Sequence, residues 1–152
     1  MNRLFNIILT VVLLSSASFA LGDVSPAAVH KIVLAEFAAM RLPTKSPFCL
    51  AILPARNTSE TGADPSPQLL RFLIGKGMRP QKASTCYEPL PKGNVISIET
   101  VAASADGVSV KVAFTDVTIT SDKDLGAVHR HGIYELRKSR KGGWMIQSYK
   151  AG

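Results

Sequence analysis

Recognisable catalytic motifs are missing from this sequence. It contains no Gly-x-Ser-x-Gly elbow, no glycine-rich phosphate loop and no His-Glu-x-x-His helix. Charged residues make up only 19% of the chain, too few for a disordered polyampholyte or a coiled coil. Internal repeats and low-complexity tracts are also missing, which excludes repeat and collagen-like proteins. The remaining class is a globular protein of about one domain, and no cofactor is expected.

Only one long hydrophobic stretch is present, and it lies at the N-terminus. Arg3 precedes an apolar segment from Leu4 to Leu14, and Ser18-Phe19-Ala20 provides the small residues that a signal peptidase recognises. A permanent membrane anchor is disfavoured because a spanning helix needs about 20 apolar residues. We therefore predict a signal peptide over residues 1–20 and a single domain over residues 21–152. That domain is expected to be periplasmic or secreted, without a transmembrane segment.

Cysteine is scarce, and both copies, Cys49 and Cys86, lie in the predicted exported domain. The absence of a Cys-x-x-Cys motif and of ligand pairs at zinc-finger spacing argues against a redox or metal centre. In an oxidising compartment, an even number of cysteines in a small domain usually forms structural disulfides. We predict a Cys49–Cys86 disulfide that stabilises the fold.

Two helices are predicted in the first half of the exported domain. Each would begin at a Ser-Pro pair, Ser25-Pro26 and Ser66-Pro67, with the serine side chain as the N-cap. The first helix carries an apolar stripe, with Glu36 largely off it, and ends before Pro43. The stripe consists of Val29, Ile32, Val33, Phe37 and Met40.

Strands are predicted by short apolar runs and by alternation. A buried strand over Phe48 to Leu53 separates the two helices, and a segment containing Cys86 follows the second helix. Four more strands follow, with a hairpin at Asp106-Gly107 and a last turn at residues 141–143. The apolar phase slips after Phe114, which requires a bulge or a bend near Thr115-Asp116. The fold class is therefore α+β: two N-terminal helices packed on a mainly antiparallel sheet of about five to six strands.

Positive charge exceeds negative charge, with 18 lysines and arginines against 11 acidic residues. The cations are scattered except in the expected last hairpin, whose candidate binding residues are Arg137, Lys138, Arg140 and Lys141. Such a surplus favours loose contact with anionic envelope surfaces, although a basic turn is usually only a solvated loop. No specific nucleic-acid binding is expected, because no aromatic platform or nucleic-acid motif is present.

The candidates for catalysis are His129, His131 and Glu135, which are expected to share one strand face by alternation. Their increasing separation is too wide for one metal ion unless the strand bends, so no metal site is predicted. A solvent-facing strand is the alternative interpretation. Three acidic residues, Asp116, Asp122 and Asp124, cluster around one strand end and turn. The other ligands of a calcium loop are missing there, so we interpret this segment as a solvated turn.

The closing segment, from Tyr134-Glu135-Leu136 to Gly142-Gly143-Trp144-Met145-Ile146, resembles the last hairpin of nuclear-transport-factor-2-like proteins. The resemblance covers about twenty residues. It implies a cone-shaped α+β domain with a concave sheet and an apolar pocket, but no catalytic residue. The early strand and the paired cysteines depart from the family's opening of consecutive helices.

Two function classes remain open at this point. The leading hypothesis is an exported, non-enzymatic domain that binds a protein or a small ligand, such as an inhibitor or an immunity-type factor. The alternative is a small pocket enzyme, a hydrolase or isomerase, that uses His129, His131 and a carboxylate. The enzyme hypothesis requires both histidines to line a concave, partly dry pocket.

Overall fold

A computed structural model describes residues 24–53, 64–86, 93–117 and 127–152. The described residues contain three helices and one sheet of six strands. In chain order the elements are α1 (Pro26–Ala39), β1 (Pro47–Leu53), α2 (Pro67–Gly75), β2 (Arg79–Lys82), α3 (Ala83–Cys86), β3 (Gly93–Ala103), β4 (Gly107–Val117), β5 (Ala127–Lys138) and β6 (Trp144–Ala151).

The sheet is mixed, with strand order β2-β1-β3-β4-β5-β6. β1 runs parallel to both β2 and β3, whereas β3 to β6 form an antiparallel meander. The α+β class is therefore confirmed, with antiparallel pairs in the majority. The expectation of two helices was not matched, because α3 is a third.

α3 is a single turn in the segment expected to carry Cys86 back to β1. The carboxylate of Asp64 accepts hydrogen bonds from the N–H and hydroxyl of Ser84, at 2.8 and 2.7 Å. These bonds satisfy donors at the start of the turn, which a short helix cannot satisfy internally. Sequence periodicity could not reveal this helix because a four-residue element has no period to detect.

The two Ser-Pro starts behave differently. The Ser66 hydroxyl accepts a hydrogen bond from the Leu69 N–H at 3.2 Å, as an N-cap should. The Ser25 side chain makes no cap hydrogen bond, so that prediction was wrong, and only its backbone carbonyl accepts from Val29. The fixed φ of Pro26 still favours the first turn of α1.

The main core lies between the helices and one face of the sheet. α1 contributes Val29, Ile32, Val33 and Phe37, as predicted, and β4 contributes alternate residues from Val108 to Phe114. A register shift lies where the irregularity was predicted, because Phe114 pairs with Arg130 but Thr115 pairs with Val128. The extra residue is His129 of β5, however, and not a residue of β4, in which the slip of the apolar phase was seen.

The opposite face of the sheet carries the disulfide. Cys49 is joined to Cys86, with the two Cα atoms 6.2 Å apart, and Val95 packs beside them. Since Cys49 alternates with core residues Phe48 and Leu50, its side chain projects away from α1. The predicted disulfide is confirmed and attaches α3 to the back of β1.

Removal of this crosslink should lower stability substantially. The bond spans 37 residues, and constraint of the unfolded chain over such a loop contributes about 3 to 4 kcal/mol. We expect the Cys49→Ala/Cys86→Ala variant to lose about that much unfolding free energy in urea titrations. Added reductant should lower the midpoint of the parent protein and leave that of the variant unchanged; equal midpoints for both proteins without reductant would contradict this account.

Candidate functional site

A buried carboxylate lies between α1 and the sheet. Glu36 is only 1% exposed although its neighbours in the core are apolar. Its Oε1 accepts a hydrogen bond from the Tyr134 hydroxyl at 2.6 Å and one from Arg130 Nε at 3.1 Å. Oε2 has no hydrogen-bond partner among the described residues. Glu36 was expected to lie largely off the apolar stripe, so its burial is a correction.

The Glu36 position follows from helix geometry. It lies three residues after Val33 and four before Met40, which places it on the same side of α1 as both. A buried charge persists only where it is paired and hydrogen-bonded. Both partners come from β5, so the ion pair joins α1 to that strand.

Arg130 extends this network to β6. Its guanidinium carbon lies 3.9 Å from the ring centre of Tyr149, and the Tyr149 ring lies 4.7 Å from that of Tyr134. The Tyr149 hydroxyl donates to the backbone carbonyl of His131 at 3.0 Å. A Cβ on Gly132 would come within 2.6 Å of the Tyr149 ring, so only glycine leaves room for it. We call Glu36, Arg130, Tyr134 and Tyr149 the polar cluster.

Burial and neighbouring charge shift two pKa values in the polar cluster. Burial, together with the hydrogen bond to Glu36, raises the pKa of Tyr134 well above its ordinary value. Burial alone would lower the pKa of Arg130, but hydrogen bonds with Tyr134 and Glu36 raise it. Tyr134 is therefore maintained as a hydroxyl donor and Arg130 as a cation. The Arg130 side chain is 29% exposed and is the part of the Glu36–Arg130 pair that reaches the surface.

The predicted catalytic residues do not converge among the described side chains. His131 and Glu135 are exposed on the sheet face opposite α1, and Glu135 accepts a hydrogen bond from Ser109 at 2.7 Å. The side chain of His129 lies outside the described part, as do Asp122, Asp124 and the side chain of Asp116. Within the described ranges, no group of three or more His, Cys, Asp or Glu side chains could hold a metal ion.

The predicted basic residues lie together on the β5–β6 hairpin. Arg137, Lys138, Arg140 and Lys141 are exposed, and Gly142 adopts a positive φ of 83° in the turn, as the predicted glycine turn requires. Lys138 Nζ lies 5.4 Å from the ring centre of Trp144. We call residues 127–152 the basic hairpin; they hold six cations and one acid, or +5 of the net charge of +7.

A shallow groove of about 410 Å³ lies beside the basic hairpin. Its lining includes Asp106 and Ser109 from the β3–β4 hairpin region and Glu135 and Arg137 from β5. The groove is mixed in charge and wide open, unlike the partly dry pocket that the enzyme hypothesis requires.

Sequence reasoning missed the polar cluster. The available signal was an acidic residue at a stripe position of α1, together with an arginine and a tyrosine four residues apart on one strand face. The contact between Glu36 and Arg130, which are 94 residues apart in sequence, depends on the order of the strands in the sheet. No local sequence pattern specifies that order.

Comparison with known proteins identified no relative: no family model, curated protein or solved structure matches the chain. The resemblance to nuclear-transport-factor-2-like proteins therefore stays a prediction. None of the helices in the described ranges is long and apolar enough to cross a membrane.

Loss of the Tyr134 hydroxyl should destabilise the protein more than loss of the Tyr149 hydroxyl. A hydrogen bond to a buried charged group contributes about 1.5 to 3 kcal/mol, whereas one to an exposed carbonyl contributes about 1 kcal/mol or less. We expect Tyr134→Phe to lower the unfolding free energy by the larger amount and Tyr149→Phe by the smaller. Urea denaturation of both variants measures these changes. Equal losses of unfolding free energy would contradict the prediction that the hydrogen bond to Glu36 contributes more than the bond to the His131 carbonyl.

The raised pKa of Tyr134 also predicts how stability changes at alkaline pH. In the unfolded chain the phenol ionises near pH 10, while the folded protein retains the proton. Above about pH 10 the unfolded state therefore binds fewer protons, and stability falls by up to about 1.4 kcal/mol per pH unit. Unfolding free energies of the parent and Tyr134→Phe proteins, measured across this range, should converge as pH rises. A constant difference would contradict the shift.

Proposed function

We propose that this chain is an exported binding domain that recognises an acidic partner protein through the basic hairpin. The disulfide and the signal-like N-terminus support export to the periplasm or beyond. The observation that carries the proposal is the concentration of charge: without the Glu36–Arg130 ion pair, the last 26 residues hold +4, whereas the preceding 126, nearly five times as many, hold +3.

Placement of these cations supports a recognition role. The side chains of the four candidate binding residues are exposed, so their charges remain available to a partner. These residues are Arg137, Lys138, Arg140 and Lys141. Arg130, in contrast, is committed to Glu36 inside the protein. Complementary charge accelerates association and discriminates between partners, which suits a small domain without a deep pocket.

The enzyme alternative receives less support. His131 and the candidate carboxylate Glu135 are both exposed on the open face of the sheet, and the buried carboxylate of Glu36 lies on the opposite face. The enzyme hypothesis requires acid–base groups in a concave, partly dry pocket. The geometry therefore favours binding over catalysis as the proposal.

Charge reversal tests the proposed function. Binding of the oxidised protein to poly-L-glutamate would be measured by fluorescence anisotropy for the parent, for Arg140→Glu/Lys141→Glu, and for Lys45→Glu/Arg71→Glu as an exposed control with the same charge change. We expect roughly tenfold weaker binding for the hairpin variant and a much smaller loss for the control. About 1 M salt should abolish binding by the parent.

Binding to phosphatidylglycerol vesicles, measured for the same proteins, tests whether the partner is a lipid surface instead of a protein. Binding to vesicles without binding to poly-L-glutamate would replace a protein partner with a lipid surface and overturn the proposal. Equal losses in the hairpin and control variants would also overturn it, because attraction would then follow net charge alone.

A further inference from the structure

β6 forms one end of the sheet and pairs only with β5. Among the described residues, no backbone hydrogen bond reaches its other side. Most residues on this strand are solvent-exposed or partly exposed, and Met145 is 48% exposed. An unpaired edge of this kind is a template for a further strand.

Hydrogen bonds at both ends of β6 show which backbone groups face the free edge. The Gly152 N–H donates to the His131 carbonyl at 3.0 Å, and the Ser139 N–H donates to the Gly143 carbonyl at 2.7 Å. In an antiparallel ladder, residues alternate between facing the neighbour and facing away. Gly143 and Gly152 therefore face β5, and the alternation can be counted inward from each of them as far as the bulge at Gln147. By this count, the N–H and C=O groups that face the free edge belong to Trp144, Ile146, Tyr149 and Ala151.

Charge beside this edge is almost uniformly positive. Lys150 is exposed on β6 itself, and Arg140 and Lys141 flank its start. The basic hairpin's one acid, Glu135, is hydrogen-bonded to Ser109 on β4, on the side away from β6. A strand added to β6 would therefore have cations near both of its ends.

The same charges disfavour a second copy of the chain as the occupant. Pairing of two β6 edges would bring two basic hairpins together, and like charges across an interface are costly. The bulge between Glu135 and Leu136, with Gln147 as the extra residue of β6, interrupts the edge for any added strand, so charge is what separates the two occupants.

We infer that an extended acidic segment of the partner protein docks as an additional strand on the free edge of β6. Main-chain hydrogen bonds to the outward-facing groups supply the contact, and the partner's carboxylates face Lys150 and the hairpin cations. This inference rests on the proposed function and specifies the form that the partner takes.

Two matched peptides separate strand addition from plain charge attraction. The first is as long as β6 and alternates threonine with glutamate; the second replaces its central threonines with proline, which preserves charge but removes N–H donors and strand geometry. We expect the first peptide to bind at least tenfold more tightly than the second.

Hydrogen exchange identifies the edge directly. With the first peptide bound, the amides of Ile146 and Tyr149 should exchange at least tenfold more slowly than in the free protein, while amides already paired inside the sheet should change little. Ala151→Pro removes one outward N–H from an exposed position and should weaken peptide binding about three- to tenfold. Ala151→Ser, which keeps that N–H, should bind as the parent does.

The outcomes distinguish this inference from the proposed function. Equal binding of both peptides, with sensitivity to Arg140→Glu/Lys141→Glu, would overturn strand addition but retain acidic recognition. Failure of both peptides to bind would overturn both. Unchanged exchange at Ile146 and Tyr149 on peptide binding would also overturn the inference, as would peptide-free dimerisation through β6 in size-exclusion chromatography.

Discussion

The carboxylate of Glu36 is the constraint on which the arrangement of helix and sheet depends. An ionised carboxylate in an apolar core costs several kcal/mol unless partners compensate for lost hydration. Here the compensating donors are Tyr134 and Arg130, both on β5. Apolar packing alone would tolerate several positions of α1 on the sheet, because it is non-directional. The hydrogen bonds to Glu36 are directional, so they select one position, and the Arg130–Tyr149 stack extends that selection to β6.

Several elements were predictable because their signals are local. Apolar spacing identified α1, alternation identified β3 and β4, and the phase slip after Phe114 indicated the location of a register shift, although its extra residue lies on β5. The disulfide followed from cysteine number and expected compartment. The parallel pairing of β1 with β2 and β3 could not be predicted in this way. Strand order depends on how all the elements pack together, and it produces no periodic pattern within any one segment of the sequence.

The candidate site shows the same division. The basic residues could be listed from sequence because a charge run is visible wherever it folds. The polar cluster could not, because a carboxylate on a helix is normally assigned to the solvated side. His129 and His131 were expected on one face, an expectation that assumes an uninterrupted two-residue repeat. The bulge falls at His129, whose side chain lies outside the described part, so that expectation stays a prediction.

The two faces of β5 divide structural and surface roles by alternation. Arg130 and Tyr134 face inward and hold the Glu36 carboxylate, while His131, Glu135 and Arg137 face outward. This division explains how β5 can hold a buried carboxylate and still present exposed cations. Glu36 is paired with the partly exposed Arg130, so its negative charge does not offset the charges of the hairpin turn. The positive charge of this sheet edge repels a second copy of the chain and attracts an acidic strand. The bulge interrupts the edge for either occupant, so the preference for an acidic strand follows from electrostatics.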